Sequence, residues 1–184
     1  AESRAEAEDA AELVDIDLEP CAVVDSIDAA LADDAPALFD DAADNVLWHH
    51  NETWGDVDAA ISFADHVVRE TFVQHRHACV PMEGRAGLAV PDPGGDALAY
   101  HASHQNPHAL RLHLAAALGI AASRIIVHTD DVGGSFGLKS NPTREDLAVC
   151  AAAVLLGRPV KWIEDRSENL VSGGHARDER VHVE

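Results

Sequence analysis

The chain reads as an α/β fold, α+β in detail, and three observations predict it. Short β-branched runs such as Ile125-Ile126-Val127 alternate with longer helix-forming segments. Two of those segments open on an Asn-Pro pair, Asn106-Pro107 and Asn141-Pro142, an N-cap side chain followed by proline at the first helical position. Glycines stand where helices must stop, at Gly119 and Gly157, and cluster after a strand pattern at Gly133, Gly134 and Gly137. A chain of 184 residues is long enough for one ordinary domain with a real core.

Taken in order, residues 2–12 are rich in Ala and Glu and are expected to be helical. Val14, Ile16 and Leu18 alternate with Asp15, Asp17 and Glu19, the pattern of a half-buried strand that Pro20 ends. Asp25 or Ser26 can cap a short helix through Leu31, and the polar, aspartate-rich residues 33–56 read as a linker. Asp56 or Asp58 can cap a second short helix through Ala64. Strands are expected at 67–73 and 97–102, with a loop at 81–85 between them. The helix after Asn106 carries an apolar stripe of Leu110, Leu114, Ala117 and Leu118. The helix after Asn141 has Glu145 and Asp146 in its first turn, where the helix dipole favours acid. Residues 147–156 are nearly all apolar, so that helix is expected to be buried, and 159–163 starts the next strand.

Composition excludes several functions. The formal charge is −20, from 33 acidic residues against 13 Lys plus Arg, and it repels nucleic acid and anionic membrane surfaces. No apolar run is long enough to span a membrane, and there is no signal-peptide pattern. The three cysteines, Cys21, Cys79 and Cys150, are far apart and odd in number, which fits a reducing cytoplasm better than a disulfide framework. Acid is spread along the whole chain rather than gathered in a tail, as in halophile proteins.

The chemistry concentrates in Asp130-Asp131-Val132-Gly133-Gly134-Ser135-Phe136-Gly137-Leu138-Lys139. Glycines at a strand end leave backbone N–H groups open to a ligand, because no Cβ blocks the approach, and such groups hold phosphate or oxo oxygens without a positive side chain. A tight turn between strand and helix is the plainer reading of the same letters. A P-loop is disfavoured: Lys139-Ser140 is present, but Leu138 stands where glycine must precede the lysine.

That stretch resembles the Gly-Gly-Phe-Gly loop of the molybdenum hydroxylases, the family of xanthine oxidase, aldehyde oxidase and aerobic carbon monoxide dehydrogenase large subunits. Pro81-Met82-Glu83-Gly84-Arg85 looks like that family's Pro-Met-Glu-Pro-Arg-Gly, and His104-Gln105-Asn106-Pro107-His108 like its Thr-Gln-x-Pro-His. Gly157-Arg158-Pro159-Val160-Lys161-Trp162 and Glu164-Asp165-Arg166 match its segment before the next motifs. His175-Ala176-Arg177-Asp178 leans toward the carbon monoxide dehydrogenase branch. The motifs run in one order over residues 55–184. Three departures stand out: His104 for threonine, Ser135 for the third glycine, and Gly84 for proline.

The resemblance implies an internal fragment of the molybdenum-binding large subunit. Residues 1–40 would be the end of a small, hammerhead-like α/β domain, and 41–184 the N-terminal part of a molybdopterin-binding domain. It implies hydroxylation or oxidation of a small substrate with water-derived oxygen. The cofactor would be of molybdopterin type, in its cytosine dinucleotide form, with FAD on a medium partner subunit and [2Fe-2S] on a small one. By resemblance Gln105 would donate to an oxo ligand, Gly133, Gly134, Phe136 and Gly137 would face the cofactor, and the Phe136 ring would wall the substrate pocket. The family's catalytic base lies far downstream, so no catalytic residue is expected here, and the 184 residues alone are expected to be inactive. A non-catalytic orphan module of the same fold is the alternative, a nucleotide-binding domain the weaker one.

Other candidates read as structural. Glu83 and Arg85 are expected to form a buried, paired support under the loop, since buried charges need partners. Glu145 and Glu164 read as helix-start and strand-end charges. His75, His77 and Cys79 alternate and would share one face of a strand, but no fourth ligand is spaced to join them, and no metal site is assigned. The charge pattern generates one expectation for the whole chain. Crowded carboxylates repel, and molar salt shortens the screening length to about 3 Å, so the thermal midpoint should rise between low and molar potassium chloride. An unchanged or lower midpoint, with a second salt used to separate salting effects on the core, would remove the halophile reading.

Overall fold

The computed structural model describes every residue except 43 and 95, so one position of the expected 33–56 linker lies outside the described residues. Contacts divide the chain into two units, residues 1–70 with 182–184, and residues 71–181. Each is described by itself.

The first unit carries three helices: α1 (Arg4–Glu12), α2 (Ile27–Leu31) and α3 (Val57–Phe63). Each has a side-chain cap at its start. Ser3 accepts from Glu6, Ser26 from Ala29 and Asp56 from Ala59, which settles the two caps that the sequence left open. None of the three buries a residue. The strand expected at Val14, Ile16 and Leu18 is not formed, and these side chains are 62%, 67% and 79% exposed. A strand is a pairing as well as a pattern, and no neighbouring strand engages this segment among the described residues. Between α2 and α3 Asn45 gathers the chain, donating to the carbonyls of Ala30 and Pro36 and accepting from the Leu38 N–H.

The second unit is built on a four-stranded sheet in the order β4-β3-β2-β5, with β2 (Ala86–Pro91), β3 (Leu98–Ala102), β4 (Ile125–His128) and β5 (Val160–Ile163). A short outlying sheet pairs β1 (Glu70–Gln74) with β6 (Glu179–Val183). β2 runs antiparallel to β3 and β5, whereas β3 and β4 are parallel and joined across helix α4 (Pro107–Leu118). Helix α5 (Arg144–Leu156) joins β4 to β5, and a short helix α6 (Arg166–Ser172) follows.

Register explains the core. Ala89 lies between Tyr100 and Val160, and Tyr100 pairs on its other side with Val127, giving one row across four strands. Leu98 faces Ile125, and Leu110 and Leu114 of α4 with Val149, Cys150 and Ala153 of α5 close over this side. Burial pushes the Cys150 thiol up to about 12. Gly87 sits where a Cβ would collide with the Tyr100 ring, so glycine gives that ring its room. The Tyr100 hydroxyl donates to Asp146 at 2.8 Å; burial and that carboxylate raise the Tyr100 pKa strongly.

Several sequence expectations need correction. Helix α5 begins at Thr143, not at Asn141-Pro142: the Thr143 hydroxyl and the Asp146 carboxylate cap each other in a capping box, and that outcompetes proline as a start. Its burial is one-sided, since Leu155 and Leu156 are 85% and 64% exposed. Strand β2 and helix α6 were not anticipated. α6 starts from an Asp165–Glu168 capping box whose letters look like a charged loop. Removing the Tyr100 hydroxyl leaves a buried Asp146 oxygen short of a donor, so Tyr100→Phe should lower stability by about 1–3 kcal/mol. Urea unfolding of the two chains measures it; an unchanged midpoint would mean the pair carries no stability.

Candidate functional site

The glycine-rich stretch leaves β4 as extended chain and closes with a turn over residues 136–139. Gly133, Phe136 and Gly137 are exposed, Gly134 is half-buried, and Ser135 is buried. Gly134 and Gly137 have φ of 94° and 92°, values that glycine adopts freely. Phe136 stands at φ 55°, an uncommon left-handed conformation for a bulky residue. Its carbonyl accepts from the Cys79 thiol at 3.0 Å, and its ring is 76% exposed. Phe136 borders a groove of about 660 Å³ whose rim also includes Cys79, Thr143, Arg144, His175 and Arg177.

The loop is held from beneath by Lys139, which is only 1% exposed. Its ammonium donates to the Glu83 carboxylate at 2.7 Å and to the Ser103 hydroxyl at 2.8 Å. The other Glu83 oxygen accepts the Gly133 N–H at 2.9 Å. A Cβ on Gly133 would stand 2.7 Å from Glu83, so glycine permits this close approach. Hydrogen bonds from Lys139 and Ser103 hold the Glu83 carboxyl below its ordinary value of 4.5.

Arg85 belongs to a different cluster from Glu83, which corrects the expected pairing of the two. Its guanidinium donates to Glu164 at 2.8 and 2.5 Å and to Glu145 at 3.3 Å, and its own N–H meets the second Glu164 oxygen at 2.9 Å. The guanidinium also lies 5.5 Å from the Trp162 ring centroid. Glu164 stands directly after β5, as a strand-end charge, and is in addition a buried ion-pair partner. Burial pushes Glu164 up, but the Arg85 and Asn169 hydrogen bonds outweigh it, and its pKa is lowered from 4.5. Arg166 of α6 donates to the Pro81 carbonyl at 2.6 Å, bracing the 81–85 loop from the same side. Met82, grouped with these residues on the sequence, is 97% exposed.

Gln105 meets the loop directly. Its N–H donates to the Lys139 carbonyl at 2.8 Å, and its Oε1 accepts from the Ser135 hydroxyl at 2.6 Å. Gln105 is exposed. Among the described residues its Nε2 has no hydrogen-bond partner, nor do the N–H groups of Gly134, Phe136 and Gly137. His104 beside it is buried, accepts the Asn106 N–H through Nδ1 at 2.9 Å, and has an unpartnered Nε2. An accepting Nδ1 places the proton on Nε2, so that atom is one more unpaired donor. The strand assumed for His75, His77 and Cys79 ends at Gln74, so the shared face on which they would meet does not exist.

This donor set passes a chemical test. The free groups are N–H donors beside and on a loop braced by the buried Lys139 ammonium, and a Cβ at Gly137 would meet nothing within 4 Å, so the approach is open. Such an arrangement suits a group rich in acceptor oxygens. The fold that carries it is an α/β module. Residues 38–184 match the molybdopterin cofactor-binding domain, and the chain belongs to that family.

Known relatives agree. The chain is 39% identical over 184 residues to the nicotine 6-hydroxylase large subunit of Paenarthrobacter nicotinovorans, covering 100% of this chain and 22% of that one. It is 34% identical to the carbon monoxide dehydrogenase large chain of Afipia carboxidovorans, covering 100% of this chain and 24% of that one. The crystal structure of quinoline 2-oxidoreductase from Pseudomonas putida 86 superposes with a TM-score of 0.89 at 35% identity, over 99% of this chain and 23% of that one. The chain thus spans about a quarter or less of the length of these relatives.

The ion pairs under the loop carry a pH signature. Carboxylates with lowered folded pKa values stabilise fully above their ordinary range, and the stability is lost as pH falls through the lowered values. Wild-type stability should therefore fall as pH drops below about 4.5. Arg85→Met leaves the Glu164 carboxylate buried and short of its cation, a loss of about 3–5 kcal/mol at neutral pH. That deficit should shrink on acidification, when Glu164 takes up a proton. Urea unfolding at pH 7 and pH 4 tests this, and an equal deficit at both would show that the pair is not what Arg85 stabilises.

Proposed function

We propose that this chain forms one wall of the molybdenum-cofactor site in the large subunit of a xanthine oxidase-family oxidoreductase. The observation that supports it most is the set of unpaired donors, the N–H groups of Gly134, Phe136 and Gly137 on a loop held by the buried Lys139, with Gln105 Nε2 on the side chain that accepts from Ser135 of that loop. Gln105 would hold an oxo oxygen. Gly134, Phe136 and Gly137 would donate to further acceptor oxygens, and Gly133 would contribute through the close approach of Glu83 that fixes the loop. The Phe136 ring would exclude water from the substrate side of the groove. When bound, the cofactor supplies the two-electron oxidation, with oxygen taken from water.

The finer assignments are proposals of the same kind. Residues 1–40 belong to the end of a preceding small domain, a reading supported by the family match starting at residue 38. The cofactor is of the cytosine dinucleotide form, and electrons leave through a [2Fe-2S] small subunit and an FAD-binding medium subunit. The match to a subunit of the 6-hydroxypseudooxynicotine dehydrogenase complex, 39% identical over 176 residues, supports a multi-subunit assembly. No helix among the described residues is long and apolar enough to cross a membrane. The odd, widely spaced cysteines support placing the enzyme in the reducing cytoplasm. Two substrate readings have support. The His175-Ala176-Arg177-Asp178 segment and the carbon monoxide dehydrogenase relatives favour carbon monoxide. The nicotine 6-hydroxylase and quinoline 2-oxidoreductase relatives favour an electron-poor carbon in an N-heterocycle.

Elemental analysis of the native complex that carries this chain tests the central claim: molybdenum should be present at about one per chain. Gln105→Leu removes one donor worth roughly 1–1.5 kcal/mol, so cofactor retention should weaken about tenfold. Gly137→Val puts a branched side chain at φ 92° in the open approach and should abolish retention. A native complex free of molybdenum would overturn the proposal.

A further inference from the structure

Ser135 stands where the resembling loops have a glycine, and the structure shows what its hydroxyl does. Three hydrogen bonds form a closed cycle. Gln105 N–H donates to the Lys139 carbonyl at 2.8 Å, Lys139 N–H donates to the Ser135 Oγ at 2.8 Å, and that hydroxyl donates to Gln105 Oε1 at 2.6 Å. The direction of each bond is set by its donors. Oγ accepts from the Lys139 N–H, the Gln105 amide is the only other hydrogen-bond partner of this hydroxyl among the described residues, and only the carbonyl end of an amide can accept its proton. A flipped amide would offer Oγ a second donor in place of its acceptor, and would strand the hydroxyl proton of a side chain only 7% exposed. Lys139, the shared member of the cycle, is fixed by its buried ammonium.

We infer that Ser135 is a positioning residue that locks the Gln105 amide with Oε1 inward and Nε2 outward, so that the site presents only donors to the atom it holds. The site then takes an acceptor oxygen, as in an oxo, carbonyl or phosphate group, and turns away a ligand atom that can only donate. A glycine at this position could orient Gln105 through its backbone alone and would leave the amide free to rotate. The consequence for the ligand rests on the proposed role of Gln105, whereas the lock itself is a property of the chain.

The chain makes the lock measurable, because Gln74 and Gln105 are its only glutamines. Glutamine-selective ¹⁵N labelling yields two side-chain NH₂ pairs, with exposed Gln74 as the internal control. In the unmodified chain the Gln105 amide should approach the rigid range, an order parameter near roughly 0.85, while Gln74 stays below about 0.6. Ser135→Ala should drop Gln105 to the mobile range and leave Gln74 unchanged, and Ser135→Thr, which keeps the hydroxyl, should restore it. A Gln105 amide as mobile as Gln74 in the unmodified chain overturns the inference without any variant, and so does one that stays rigid in Ser135→Ala. Should Ser135→Ala not fold, the unmodified chain and Ser135→Thr decide it. The ligand reading fails separately: a rigid Gln105 amide together with undiminished molybdenum in the Gln105→Leu complex would sink the cofactor role and keep the lock.

Discussion

A buried ammonium organises the site. Lys139 is 1% exposed, and removing such a charge from water is costly unless it is paired and fully hydrogen-bonded. Glu83 supplies the charge and Ser103 a second acceptor. The pairing then propagates. Glu83 has a second oxygen to satisfy and takes the Gly133 N–H, which draws the start of the loop onto the 81–85 segment. The Lys139 backbone, immobilised by its side chain, engages Gln105 on one side and Ser135 on the other. A glycine-rich loop alone would have many conformations of similar energy. One well-partnered cation beneath it selects a single conformation.

A second ion-pair cluster does the same for the neighbouring wall. Arg85 joins the start of β2 to the end of β5 through Glu164, and to the first turn of α5 through Glu145. Asn169 and Arg166 tie α6 into that cluster and into the 81–85 loop. The two clusters meet in one short segment, since Glu83 and Arg85 are two residues apart and serve different partners. The loop and the sheet are thereby fixed to each other through three buried charges, Lys139, Arg85 and Glu164.

Much of this was legible in the letters. The helix after Asn106 and the strand at 125–128 follow from local signals that tertiary structure did not override. The family resemblance, not spacing or local pattern, set Gln105 and the glycine loop on one ligand, and the two are hydrogen-bonded. What could not be read was partner choice between distant residues. Two acids and two bases, Glu83, Glu164, Arg85 and Lys139, allow more than one pairing, and sequence adjacency suggested the wrong one. Lys139 carried a usable signal: in a chain with only two lysines, one placed directly after a glycine motif invites a search for its carboxylate. The β2 strand was hidden because a strand buried on one face by Gly87 and Ala89 lacks the bulky alternation that marks most strands. The segment at 14–18 erred in the other direction, with perfect alternation and no partner.

That unpaired segment has a bearing on how copies of the chain behave toward one another. Val14, Ile16 and Leu18 are exposed apolar side chains on a segment with no strand partner among the described residues, the kind of segment through which chains associate. Asp15, Asp17 and Glu19 sit between them and place like charges opposite one another in any self-pairing. At low ionic strength this repulsion acts as a guard against oligomers. Salt screens this repulsion, so raising the ionic strength lowers the barrier to self-association.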